Sequence, residues 1–562
     1  MKAPRRNLRF ARRRSQSIVS GVTPRHRRLL AVCSLLLCVV ALGSGCRRSE
    51  TNVAIGNRSQ ILHLGNGAEP SDLDPQVVTG TKEFSLIEAL FEGLVGADPV
   101  DLHPVPGAAR SWDISPDKKV YTFHLQPGGK WSNGDPVTAG DFVWSCQRIL
   151  SPELASEFSF YLFVIKNARA FNQGDLKDFA QVGCRAVDDK TLEFTLDNPT
   201  PYFLDLLRAR LYPVHRATVE AAGGALRRGT NWTRPEHFVG NGPFTLQEWT
   251  VNKVITVRKN PHYWDAAMVR LNEIRFYPYD SLDTEERAFR AGQLHKTYGL
   301  PFSKVDSYRR EQPGVVRLDP YARTQYLGVN CQKPVLNHPK VRRALGLAID
   351  REAIVKNLTR GGERAANSLV PPDTGGYTAR ASLPHDPAAA RALLADAGYP
   401  GGHGMPPVEI LYNTSEANRV IAEAIQQMWK KDLGVDAVLA NQEWKVYLNR
   451  RTQQDYQVFE GGWTTTYLDP TGFLELLVGG SPINQHGWAN AAYDGALDAA
   501  ARTADPAARL EAFQRAEGIL LDEAPLLPLY FWTRVYLLSP HVQGWSANRL
   551  DSHPYKFVWL KE

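Results

Sequence analysis

Sulfur is scarce in this chain, with six cysteines and four methionines in 562 residues. Cys33, Cys38 and Cys46 fall near the start, leaving Cys146, Cys184 and Cys331 beyond. None of these has CxxC spacing, so a zinc ribbon or a dithiol centre is not supported. Long apolar runs are missing too. The best one, Leu29 to Leu42, is broken only by Ser34 and spans fourteen residues. A membrane-spanning helix needs about 20 residues. Catalytic signatures are absent as well: no GxSxG, HExxH, GxxxxGK[ST], or GxGxxG after a strand. The fourteen histidines never take metal-ligand spacing. His63, His103, His124, His215 and His486 read as surface or hydrogen-bonded residues. The adjacent acids Asp188-Asp189 and Glu285-Glu286 do not point the same way on a helix or strand, and read as solvated charge. No nucleophile–base pair can be named, so the chain does not read as an enzyme, and no cofactor is expected.

The formal net charge of +7 is misleading. Ten basic residues and no acid lie within residues 1–45; the remainder balances 56 Lys and Arg against 59 Asp and Glu. A nucleic-acid partner needs a basic face, and nothing here asks for one. The proportions, 43% hydrophobic and 22% charged, are those of a globular protein. At about 150 residues per domain the length predicts three or four units.

The leader orders a basic region (Arg25–Arg28), the short apolar run and small residues, Gly43-Ser44-Gly45, before Cys46. That is a secretory signal. Cys46 after small residues resembles a bacterial lipobox, with Gly43 in place of the usual Leu at −3. The alternative is an ordinary cleaved signal with an incidental cysteine. Arg12-Arg13-Arg14-Ser15 also raises twin-arginine export. In an oxidising compartment one disulfide is possible among the three remaining cysteines, and the sequence does not choose a pair. Cys146 sits in an apolar helical stretch and reads as a buried small residue.

Residues 46–59 are polar and read as a flexible tether. Periodicity predicts helices over Ser85–Leu94, Pro339–Leu358 (one or a pair), Asp386–Ala397, Glu416–Leu433 and Ala504–Asp522. Thr138 and Asp141 form a candidate capping box for a helix reaching Leu150. Gly398 and Gly434 are candidate C′ glycines. Strands are expected at Val120–Leu125, around Leu192–Leu196, at Val435–Leu439, Tyr456–Trp463 and Leu526–Leu538. A hairpin is expected from Phe244–Trp249 and Val254–Val257 about Val251-Asn252-Lys253. This is an α/β chain with mixed sheets.

Several segments together resemble the bacterial oligopeptide-binding proteins, the extracytoplasmic solute-binding family that serves peptide ABC importers. They are Glu69–Pro75, Leu90–Leu94, Trp131–Ser145, Asn241–Phe244, Arg258–Trp264, Val341–Leu345 and Asn441–Trp444. The resemblance runs from about residue 60 to the C-terminus. It implies a two-lobe periplasmic-binding-protein (type II) fold with two hinge crossings and an extra domain inserted in the N-terminal lobe. By matching segments, lobe I is 60–81, 212–322 and 534–562; the inserted domain is 82–211; lobe II is 323–533. Ligand lies between lobes that close by hinge motion. A peptide is held as an added strand, with its side chains in hydrated pockets. The implied partners are a peptide or peptide-like ligand, an importer permease, and the membrane through a lipid on Cys46, with the protein a monomer. The same fold binding an opine, metal chelate or sugar stays open, as does a ligand-gated sensor or chaperone.

The resemblance also carries residues over. Gly462-Trp463-Thr464-Thr465-Thr466-Tyr467-Leu468-Asp469 resembles a family stretch in which backbone around the Trp pairs with the peptide and an Asp binds its α-ammonium. Gly462, Trp463 and Tyr467 match; the Asp position is Thr466. A hydroxyl cannot neutralise a buried ammonium. Two readings follow: Glu460 or Asp469 takes the amine, or the ligand has no free amine. Trp444 matches a pocket residue, or is a core Trp. Glu69 matches a loop at the lobe interface, and Tyr321 and Tyr326 match aromatic cleft residues near the hinge. Arg451 is a candidate for a terminal carboxylate, or an exposed helical Arg. A cysteine pair of some relatives is replaced here by Arg323 and Thr464.

Overall fold

A computed structural model describes residues 50–562 apart from Pro482, and the described chain from Thr51 on forms one compact unit. The leader and Cys46 lie outside the described residues. Among the described residues no helix is long and apolar enough to cross a membrane.

Three sheets each back a separate hydrophobic core. The first has strand order Ile61–Gly65, Glu273–Tyr277, Val254–Lys259, Phe244–Thr250. Its first pair is parallel and the others antiparallel. The last two strands are the expected hairpin, with Asn252 at φ 57° in the turn. The second sheet is wholly antiparallel: Ala109–Ile114, Val120–Leu125, Thr191–Thr195, Cys184–Asp188. Tyr121, Phe123 and Leu125 alternate inward, as a half-buried strand requires. The helix Ala139–Leu150 covers it, started by the Thr138–Asp141 capping box and burying Phe142, Cys146 and Ile149. Each fully buried side chain of this size stabilises by roughly 1.5–3 kcal/mol.

The third sheet is mixed, in the order Arg364–Ala365, Leu526–Leu537, Val316–Val329, Val458–Thr464, Val408–Asn413, Ala437–Gln442. Its outer parallel strands are joined by the helix Glu416–Leu433, which ends at Gly434 with φ 70°. Two long strands tie the first and third cores together. Val316–Val329 and Leu526–Leu537 pair from Val316↔Leu537 to Gly328↔Leu526, with a break in register between Pro320 and Thr324. Tyr536 sits in the first core, while Leu527 and Tyr326 sit in the third.

Several expectations are corrected. Residues 52–59 of the expected tether form a helix: Thr51 Oγ1 accepts from Ala54 N at 3.2 Å, and Asn57 is buried against His295. The helix placed over Ser85–Leu94 is Thr81–Leu90, and its Leu86, Ile87 and Leu90 pack in the first core. The stretch Pro339–Leu358 breaks after Leu347 because Asp350 caps a new start, accepting from Ala353 N at 2.9 Å. Glu285 and Glu286 are buried, not solvated. Glu285 accepts from the Tyr298 and Gly299 amides, and Glu286 from Lys304 and Tyr308. Cys146, Cys184 and Cys331 are free thiols.

Candidate ligand-binding site

Where the two long strands lose register lies a cavity of about 580 Å³, lined from the first and third cores and by Phe158 and Tyr161 of a smaller cluster. Pleating sends Tyr321 and Arg323 into it from one long strand, and Trp532 and Arg534 from the other. The end of the strand Val458–Thr464 delivers Trp463, Thr464, Thr465 and Thr466. The helix Thr81–Leu90 adds Phe84 and Glu88, and the C-terminal turn of Phe203–Arg210 adds Arg208 and Arg210. Lys296, Tyr298, Trp545 and Asp551 also line the cavity. That volume suits a small ligand or short peptide.

The strand edge matters most. On one side Val458–Thr464 pairs with Val316–Val329 as far as Thr464. On the other, Val408–Asn413 pairs only with Val458 and Phe459. Among the described residues, that second edge has no strand partner from Gly461 to Thr464 as it runs to the cavity. Trp463 is held by its indole N–H, which donates to the Gly472 carbonyl at 2.6 Å.

The lining is cationic: Arg208, Arg210, Lys296, Arg323 and Arg534 face two carboxylates, Glu88 and Asp551. Both acids are already engaged. Asp551 meets Arg534 at 2.8 Å and His553 at 3.1 Å. Burial alone would raise Asp551, but Arg534, His553 and Lys296 outweigh it and hold the carboxyl well below its usual range. Glu88 accepts from Ser552 Oγ at 2.5 Å, and burial pushes it up. Burial lowers Lys296 to about 8, with Asp551 opposing. Its Nζ lies 4.7 Å from the Tyr536 ring centroid and 5.1 Å from that of Trp545. The Arg210 guanidinium lies among Phe84, Phe158 and Tyr161, 3.8 Å from the Phe158 centroid. Cation–π contacts like these hold charge without neutralising it.

Residues 103–485 match the model of bacterial extracellular solute-binding proteins, family 5 (middle region). The chain belongs to that family. It is 35% identical over 545 residues to the periplasmic oligopeptide-binding protein OppA of Salmonella typhimurium, covering 95% of this chain and 98% of that one. It is equally 35% identical to the probable deoxycholate-binding periplasmic protein YgiS of Escherichia coli, over 90% of this chain and 93% of YgiS. The solved murein tripeptide binding protein MppA of E. coli superposes with a TM-score of 0.80 at 35% identity, over 89% of this chain and 98% of MppA. The fold of this family 5 member is thus the type II periplasmic-binding-protein fold.

Against that frame the expected site residues divide. Trp463, Thr464, Thr466 and Tyr321 line the cavity. Gly462 adjoins it, and a Cβ there would lie 2.6 Å from Arg323 Nη2. The others are elsewhere. Tyr467 is buried behind the wall, stacked on Tyr202 with centroids 4.7 Å apart, and its hydroxyl donates to Glu475. Asp469 forms a buried two-bond pair with Arg509, at 2.6 and 2.8 Å. Glu460 is buried on the third sheet and accepts from Gln325 Nε2 at 3.0 Å. Neither acid lines the cavity. Trp444 is 52% exposed, stacked on Tyr447. Glu69 is held by Trp249 Nε1 at 2.6 Å and the Asn252 amide at 3.0 Å. Tyr326 is in the third core against Phe459 and His486. Arg451 lies over the Phe459 ring.

Sequence reading missed Glu88, Arg208, Arg210, Lys296, Trp532, Arg534 and Asp551. One weak signal was available: Arg208 and Arg210 end an amphipathic helix whose apolar face is buried. Glu88, Lys296 and the group Trp532, Arg534 and Asp551 come from distant parts of the chain and meet only through the fold.

Proposed function

We infer that this protein captures peptides or peptide-like solutes outside the cytoplasm and delivers them to an ABC importer. The observation that carries the reading is the unpartnered strand edge from Gly461 to Thr464, which ends in the cavity wall. An extended peptide can complete such an edge with main-chain hydrogen bonds, which hold it without reading its sequence. The names of OppA and MppA agree with a peptide ligand. Trp463, Thr464, Thr466 and Tyr321 are the ligand contacts on this reading.

The first core then serves as lobe I, the second as the inserted domain and the third as lobe II. The lobes close by rotation about the two long paired strands. Binding involves no covalent step. A lipid on Cys46 tethers the monomer at the membrane, where both lobes meet the permease. The names of relatives place them in the periplasm, which suits such a tether.

Ligand-induced thermal stabilisation tests the assignment. The purified protein is melted with free tri- to pentapeptides, their N-acetylated forms, and deoxycholate. A ligand at about 100 times its Kd adds roughly 2.7 kcal/mol. Stabilisation by any peptide supports capture. Stabilisation by deoxycholate alone overturns the peptide assignment and leaves the fold assignment intact.

A further inference from the structure

Thr466 has a cation beside it. Arg208 Nη2 donates to the Thr466 carbonyl at 3.3 Å. The ion-pair contact of that guanidinium, to Asp205, is loose at 3.8 Å. An ammonium seated beside Thr466 would therefore meet a guanidinium where a carboxylate is needed. Neither candidate surrogate faces the cavity, since Asp469 is bound to Arg509 and Glu460 lies in the third sheet.

Elsewhere in the wall, positive charge is in excess. Among the described residues, Lys296 and Arg323 have no carboxylate at ion-pair distance, although Asp551, Glu285 and Asp319 act on Lys296, and Glu460 faces the Arg323 charge, from farther away. Lys296 rests on aromatic rings. Arg323 donates to the neutral oxygens of Thr464 and Gln325, both at 3.3 Å, and its Nε is buried without a partner. The two lining acids are already committed to Arg534, His553 and Ser552. A buried cation is costly until an anion reaches it. The single α-carboxylate of an ordinary peptide would answer one of Lys296 and Arg323 and leave the other.

We propose that the cavity selects acidic peptides with a blocked or absent α-amine, at least two carboxylates of which pair with Lys296 and Arg323 while a neutral acyl or amide group lies at Thr466. This rests on the peptide reading above and narrows it. The planar fork of Arg323 matches a carboxylate, and its neutral neighbours leave donors to spare.

The unmodified protein and four tripeptides test this by calorimetry. They are N-acetyl-Ala-Glu-Glu, the same peptide with a free amine, N-acetyl-Ala-Gln-Gln-amide, and Ala-Gln-Gln with both termini free. The acetylated acidic peptide is expected to bind about tenfold or more tighter than each of the others. Arg323→Gln and Lys296→Met should each weaken it by about tenfold. Thr466→Asp combined with Arg208→Met should move the preference to the free amine. Equal or tighter binding of free-amine Ala-Gln-Gln overturns the charge selection while peptide capture stands. Silence of all four, with no longer peptide binding either, overturns peptide capture and this inference with it.

Discussion

Glu460→Gln should stabilise the protein above neutral pH and do nothing below pH 5. Glu460 is 2% exposed on the strand that ends in the cavity. One carboxyl oxygen accepts from Gln325, and the other is buried with no partner among the described residues. Burial pushes its pKa up from 4.5 to about 7, while the Gln325 bond and the Arg323 charge pull the other way. The folded protein therefore holds this proton more tightly than the unfolded chain does. The contribution to stability is complete below about pH 4.5 and is lost as the pH rises through 7. At about 1.4 kcal/mol per pH unit, the difference between pH 5 and pH 8.5 is on the order of 3 kcal/mol. Glutamine keeps the acceptor for Gln325 and carries no charge, so it escapes the loss.

Urea unfolding followed by tryptophan fluorescence at pH 5, 7 and 8.5 measures this directly. The variant should match the parent at pH 5 and exceed it by about 2–3 kcal/mol at pH 8.5. The parent will still lose stability with pH for other reasons, because burial also raises Glu285, Glu475 and Glu517 to about 7. Only the difference between the two proteins isolates Glu460. A difference constant with pH, or a variant weaker at pH 8.5, refutes the reasoning. The second result would mean that the charged carboxylate is held by Arg323 more strongly than burial penalises it.

Two further substitutions separate structure from recognition. Asp469→Asn leaves the Arg509 guanidinium buried with half its pairing gone; a loss of about 3–5 kcal/mol in urea unfolding is expected, with peptide affinity unchanged below the transition. A weakened affinity with full stability would put Asp469 in contact with ligand after all. Gly462→Ala places a Cβ 2.5 Å from Gln325 Oε1 and 2.6 Å from Arg323 Nη2; calorimetry should show acidic peptides weakened about tenfold as Arg323 is displaced, at an overpacking cost of about 1–3 kcal/mol.

Local signals in the sequence were reliable where one residue's chemistry fixes one bond. The Thr138–Asp141 box, the Gly434 cap and the Asn252 turn all depend on neighbours within four positions, and each forms as its residue types dictate. Boundaries slipped where tertiary contacts outbid local preference. Residues 52–59 are too polar to announce a helix, yet the buried Asn57–His295 bond holds one in place. Glu285 and Glu286 read as solvated because adjacent acids usually are, but each finds donors from separate segments of the chain.

The site divides on the same principle, with a sharper consequence. Trp463 and Thr466 were findable because a short motif carries them. Asp469 was a fair candidate by proximity to that motif, but its partner Arg509 lies 40 positions away, and pairing removes it from the cavity. The cations are the harder case. Lys296, Arg323 and Arg534 come from three strands or loops, and each looks in isolation like an ordinary surface charge. The pairing of the two long strands, with Lys296 bridged to Leu64 and Leu538, brings them to one wall. Loss of an acid at 466 therefore cannot be weighed from the motif alone. In an acidic wall a threonine there would cost the ammonium one partner among several. In a wall where Arg208, Arg210, Lys296, Arg323 and Arg534 already outnumber Glu88 and Asp551, it removes a further acid, and a binding preference should follow the change.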